Sequence, residues 1–249
     1  MAIVPPPPMY RKDDSLASFG QLLSKEGGDG PSYFWFSFEY NQQDEATAYV
    51  YILQDDIWRM QAFATTQLDD MKLPFGTSKM VLVDDRIYMA ATVSSIHVLD
   101  LTSSSFFTIE LPDGVAFNNG DIMLSWAKGS GIYLVHLKEL RLCIWLCKED
   151  ISSAGDWLLF DTICLRDMFA NLTESHCTIE DGHTTVVTIN EVGDNAEFMF
   201  LTLGEYLVYM DVKSRAVHKV YEVKEMASCR ARVCPFMMIW PPIFSVLKN

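Results

Sequence analysis

Groups of four short apolar runs, separated by turn residues, recur along the chain at a spacing of about 40–50 residues, the size of a propeller blade. One copy runs Met80-Val81-Leu82-Val83, a turn at Asp84-Asp85-Arg86, Ile87-Tyr88-Met89-Ala90, Ile96 to Leu101, and Phe106 to Pro112. A second runs Ile122 to Ser125, a turn at Gly129-Ser130-Gly131, Ile132 to Val135, Leu140 to Leu146, and Trp157 to Ile163. A third runs Thr185 to Ile189, Ala196 to Leu201, Tyr206 to Asp211, and Ala216 to Tyr221, and Ser32 to Ala64 reads as an earlier, less complete copy. Such runs, rich in β-branched and aromatic residues and bounded by Asp and Gly, are antiparallel strands. No longer stretch keeps a helical period, apart from a weak one at Leu165 to Leu172.

The copies share finer marks. The third strand ends in Leu99-Asp100 and Met210-Asp211, where an aspartate starts the turn into strand four by capping its backbone. Strand two carries Tyr88, Tyr133 or Phe198, aromatics expected to pack one blade against the next. A sandwich also has many short strands but needs no four-strand period, so it ranks second. The expected fold is an all-β propeller of about four blades of four antiparallel strands. It occupies residues 32–249, behind a Pro/Gly-rich tail over 1–31. Four copies are at the low end for a closed propeller, so the chain either closes as a small ring or forms part of a larger one. Within the tail, Pro5-Pro6-Pro7-Pro8 favours polyproline II, Ser15 to Lys25 suggests one or two helical turns, and Gly27 to Pro31 is a loop. The prolines read as a lead into the first strand rather than as a ligand for an SH3 or WW groove.

Charge excludes several partners. With 19 Lys and Arg against 33 Asp and Glu, the net charge of −14 repels nucleic acid and anionic lipid. The one dense basic cluster, Lys213, Arg215, His218, Lys219 and Lys224, is spaced by Asp211 and Glu222 and reads as a solvated face. Six cysteines without a C-x-x-C pair, and no signal-peptide pattern at the N-terminus, imply free thiols in the cytoplasm or nucleus. The sequon Asn171-Leu172-Thr173 is then irrelevant. The nearest approach to a membrane span, Cys234 to Leu247, is short and carries Pro235, Pro241 and Pro242.

A search for chemistry yields little. Asp55-Asp56, Asp69-Asp70 and Asp84-Asp85 sit at expected turns and match no calcium loop. Ser175-His176-Cys177 with Glu180, Asp181 and His183 falls short of a zinc-ligand pattern. Cys143 and Cys147, four apart on one strand, share a face and read as packed core. No nucleophile elbow, phosphate loop or dinucleotide fingerprint occurs. No catalytic, cofactor-binding or metal-binding residue is therefore assigned, and no enzyme is expected. Two alternatives stay open. One is a propeller enzyme acting on a carbohydrate or small molecule, which would gather three or more of Asp84, Asp100, Asp161, Asp194 and Asp211 in one pocket. The other is a truncated copy without a specific function.

The order of short motifs resembles the β-propeller domain of a family of plant F-box proteins. It is carried by Pro5 to Pro8, Trp58 before Thr65-Thr66, Val83-Asp84-Asp85-Arg86-Ile87-Tyr88, and Ile96 to Leu101 with Phe106 to Pro112. Ser125-Trp126-Ala127 to Leu134, Ile144-Trp145 with Trp157-Leu158-Leu159, Val220-Tyr221-Glu222 and Pro235 to Phe244 continue it. The resemblance implies a substrate-recognition propeller of a ubiquitin ligase, a non-catalytic module whose partner is a protein substrate. No F-box helices precede Pro5, so a ligase adaptor is not among the partners the residues support.

Overall fold

Each apolar run finds its partner in the next run along the chain, so every sheet is a simple meander. The computed structural model describes residues 5–8, 17–27, 30–41, 45–67, 80–90, 94–116, 121–129, 131–148, 156–170 and 187–222. The first sheet comprises β1 (Ala17–Gly27), β2 (Gly30–Tyr40), β3 (Glu45–Gln54) and β4 (Ile57–Gln67). The second has β5 (Val81–Val83), β6 (Arg86–Ala90), β7 (Ser95–Asp100) and β8 (Ser105–Glu110). The third has β9 (Ile122–Ala127), β10 (Gly131–Lys138), β11 (Arg141–Lys148) and β12 (Trp157–Cys164). The fourth has β13 (Val187–Val192), β14 (Phe198–Leu203), β15 (Tyr206–Asp211) and β16 (Val217–Glu222). All four sheets are antiparallel in sequence order, and together they make a four-bladed β-propeller. The weak helical stretch forms one short helix, α1 (Leu165–Ala170), after β12.

The first sheet corrects the sequence reading twice. Residues Ala17–Gly27 are a strand rather than helical turns, and they complete a blade that had looked deficient. All eleven residues pair with β2, from Ala17 opposite Tyr40 to Gly27 opposite Gly30. Phe19 and Leu23 lie on one side of that ladder and pack into the apolar cluster with Phe34, Phe36 and Phe38. A period of two between apolar contacts outweighs a marginal helix, whose isolated nucleus is costly. The first sheet therefore begins inside the stretch read as tail.

Three apolar clusters hold consecutive sheets together. Phe36, Phe38, Val50 and Ala64 of the first sheet meet Leu82, Ile87, Met89 and Leu99 of the second. The other face of the second sheet, with Val81, Tyr88, Ile96 and Val98, meets Leu124, Ile132, Leu134 and Cys147 of the third. Val135, Leu142, Ile144 and Ile163 then meet Ile189, Met199, Leu201 and Met210 of the fourth, with Leu165 and Phe169 of α1 included. The near-continuous burial of inner strands such as β5, β7 and β9 is what sheets covered on both faces require. Among the described residues no such cluster joins the fourth sheet to the first.

Turns follow the expected chemistry. Asp55, Asp56 and Asp84 take left-handed φ of 50°, 60° and 50°, which suits tight hairpin turns and which aspartate tolerates. The Asp100 carboxylate accepts from the Thr102 and Ser103 amides at 2.9 Å each, and Asp211 accepts from the Ser214 amide at 2.7 Å. Three outer strands carry a bulge: the register shifts between Val50 and Tyr51 opposite β4, Ile144 and Trp145 opposite β12, and Leu207 and Val208 opposite β16. The β7–β8 ladder runs without one. The strand-two aromatics share one orientation, each on the face of its sheet turned from the preceding one. Tyr88 lies between the second and third sheets and Tyr133 against the cluster of the third and fourth. Phe198 lies on the corresponding face of the fourth sheet, stacked on Tyr209 with ring centroids 5.8 Å apart, while its neighbours Met199 and Leu201 face the third.

Candidate functional site

In a meander of this kind the link from one sheet to the next and the turn between its second and third strands emerge at the same end. At that end of the third sheet lies a cleft of about 360 Å³. Gly114 and Ala116 come from the β8–β9 link, Asp121 from the start of β9, His136 to Glu139 from the close of β10 and its turn, and Val187 from the start of β13. The cleft is at the small end of the usual range for ligand pockets. Its wall is fixed by main chain: the Leu137 amide donates to the Asp121 carbonyl at 2.7 Å, and the Leu165 amide to the Leu140 carbonyl at 2.8 Å. Glu139 turns the chain at φ 57°, leaving its side chain and that of Lys138 exposed.

His136 is the buried polar group of the cleft, at 7% exposure. Desolvation lowers its pKa below the ordinary 6.5; the Asp121 carboxylate opposes this and the Lys138 amine adds to it. At neutral pH the ring is neutral and offers one donor and one acceptor. The cleft thus combines a neutral imidazole, two carboxylates and one amine on an apolar floor. Nothing at sequence level singled out His136, because an imidazole in the middle of an apolar strand carries no motif.

The five aspartates weighed for catalysis do not line this cleft. Asp161 binds the Arg215 guanidinium at 2.7 and 2.8 Å, Asp100 takes Arg86 at 3.3 Å besides its turn, and Asp211 binds Ser214. Asp84 and Asp194 sit in the β5–β6 and β13–β14 connections, at the opposite end of their sheets from the cleft. Among the described residues no three His, Cys, Asp or Glu gather as a metal site, and no helix is long and apolar enough to cross a membrane. The basic cluster is occupied locally: Arg215 on Asp161, Lys219 on Glu222 and over the Tyr206 ring, and His218 stacked on Tyr209. Cys143, Cys147 and Cys164 are free thiols, and Cys147 is buried in the core as expected, its pKa pushed up to about 11 by desolvation and then by Asp156. Asp69-Asp70, the Asn171 sequon, Ser175 to His183, Lys224 and Cys234 to Leu247 lie outside the described residues.

A buried carboxylate sits on the face of the first sheet turned away from the second. Glu39 is 3% exposed, and its Oε1 has no hydrogen-bond partner. Ser37, Tyr49 and Tyr51 on the same face are also buried.

No curated protein matches the chain. Among solved structures, a quinonprotein alcohol dehydrogenase-like protein from Bacteroides thetaiotaomicron VPI-5482 is similar over 78% of this chain, at 7% identity and a TM-score of 0.37. The match spans about half of that protein, 51% of its chain. Residues 1–244 match the family model described as F-box protein AT5G49610-like, beta-propeller. The chain belongs to this F-box protein β-propeller family.

Proposed function

We propose that the chain is a non-catalytic protein-interaction module of the substrate-recognition kind, with a segment of a protein substrate held in the cleft around His136. Family membership over residues 1–244 carries the reading. The cleft supports it, because its links and turns are loops on a rigid sheet scaffold, the usual place for recognition. Its lining of Asp121, His136, Lys138 and Glu139 mixes donors, acceptors and both charges on one wall.

The test is affinity capture from cell extract with two forms of the chain, the native one and Ala116→Arg, which fills the cleft. A polypeptide retained by the native chain and lost with Ala116→Arg supports the reading. A cooperatively folded native chain that retains nothing, or retains the same polypeptides with Ala116→Arg, sinks it.

A further inference from the structure

The four outer strands share a register position, and in three of them its side chain packs toward the preceding sheet. It is the residue opposite the penultimate position of strand three: Trp58 opposite Leu53, Phe106 opposite Leu99, Trp157 opposite Cys147, and Val217 opposite Met210. Phe106 packs into the cluster shared with the first sheet, Trp157 into that shared with the second, and Val217 into that shared with the third. Trp157 also donates its indole N–H to the Glu110 carbonyl at 2.7 Å, at the end of the preceding sheet's outer strand. There Leu111 joins the same cluster and Pro112 is buried.

Trp58 joins none of the described clusters. Its indole N–H donates instead to the Pro5 carbonyl at 3.1 Å. The two contacts correspond in side chain, register and acceptor, and in each case a proline lies two residues beyond the acceptor: Pro112 after Glu110, Pro7 after Pro5. A polyproline II segment suits such a seat. It makes no internal hydrogen bonds, so its carbonyls are free, and its backbone is already stiff. An aromatic platform that also donates an N–H is the usual chemistry for reading it.

From this correspondence we infer that Trp58 and the adjoining face of β4 form a polyproline docking seat. Pro5–Pro8 fills it in cis, in the place that the end of a preceding outer strand takes on Trp157. The prolines are the ligand of this chain's own propeller. A proline-rich segment of another protein reaches the same seat only by displacing them. The inference is independent of the cleft.

The experiment follows the Trp58 indole by NMR in the full-length chain labelled with ¹⁵N-tryptophan, assigning its resonance by its loss in Trp58→Phe. A second full-length variant replaces Pro5→Gly, Pro6→Ser, Pro7→Gly and Pro8→Ser. In it the Trp58 N–H should shift and exchange with solvent about fivefold faster, the factor a single net hydrogen bond is worth. Excess of the free peptide Val-Pro-Pro-Pro-Pro-Met should return the resonance towards its native position, saturably. An unmoved resonance in the variant overturns the inference. A resonance that moves but does not respond to peptide also overturns it, because the contact is then only a tether. The remaining tryptophan resonances, if unchanged, show that the variant is folded.

Discussion

Ser125 Oγ donates to the Gly193 carbonyl at 2.6 Å, crossing from the innermost strand of the third sheet to the first connection of the fourth. Ser125 is fully buried, so the bond closes a polar pair in the middle of apolar packing. Replacing it with alanine strands the Gly193 carbonyl. The expected cost is about 1–3 kcal/mol. For a chain of this size each kcal/mol lowers Tm by about 2–4 °C. A near-UV circular dichroism melt of Ser125→Ala that coincides with the native one would show that the two sheets do not depend on this bond.

His97 presents the opposite case. It is buried on the face of the second sheet turned to the first, and its Nδ1 lacks a hydrogen-bond partner. An orphaned buried nitrogen is a standing cost that an apolar ring of similar shape removes. His97→Phe should therefore raise stability, by about 1 kcal/mol. Denaturant unfolding gives the sign directly, and a lower midpoint would mean that the extra volume of the phenyl ring outweighs the polar relief.

The same two buried imidazoles set the response to mild acid. Burial lowers the pKa of His97 and His136 below 6.5. The unfolded chain then binds more protons than the folded one just below that value, so stability rises with pH there. It is fully present above about pH 6.5 and is lost as pH falls through the folded values. The double variant His97→Phe, His136→Gln should show a flatter stability profile between about pH 6.5 and pH 5 than the native chain. Equal slopes would assign the acid response to other groups.

At lower pH Asp100 takes over. The Ser103 amide, with Arg86 and Thr102, holds its carboxyl below the ordinary 3.8 against an opposing desolvation. This stability is present above the unfolded value and disappears as pH falls through the folded one. Asp100→Asn should lower stability more at pH 7 than at about pH 2, because the native carboxyl takes up its proton as pH falls through the folded value. A deficit of the same size at both pH values would point to loss of the turn alone.

The described thiols should separate by reactivity. Cys164 is exposed, whereas Cys147 is buried with a pKa of about 11 and is almost wholly protonated at neutral pH. Iodoacetamide labelling resolved by mass spectrometry should modify Cys164 well before Cys147. Comparable rates at both would place Cys147 at a face that opens.

How much of this was legible follows from the range of each signal. Three blades could be read strand by strand because β-branched runs and Asp turns are local. Asp100 and Asp211 even announced the hydrogen bonds they make. β1 was missed because Gln21, Ser24 and Lys25 interrupt its apolar alternation, and only the pairing with β2 reveals the period. The cleft at His136 was invisible, since it gathers residues from 114 to 187 that share no spacing.

The bulges have a further bearing on how copies of this chain behave in concentrated solution. β4, β12 and β16 each hold an extra residue that bends the free edge and spoils its ladder. A neighbouring strand cannot add to them in register. β8 is regular along all six residues, with Phe107 of this strand 38% exposed and only the Arg86 guanidinium across its ring. Sideways growth from molecule to molecule should therefore start at β8, and a lysine or proline at an outward position there is where solubility is most readily gained.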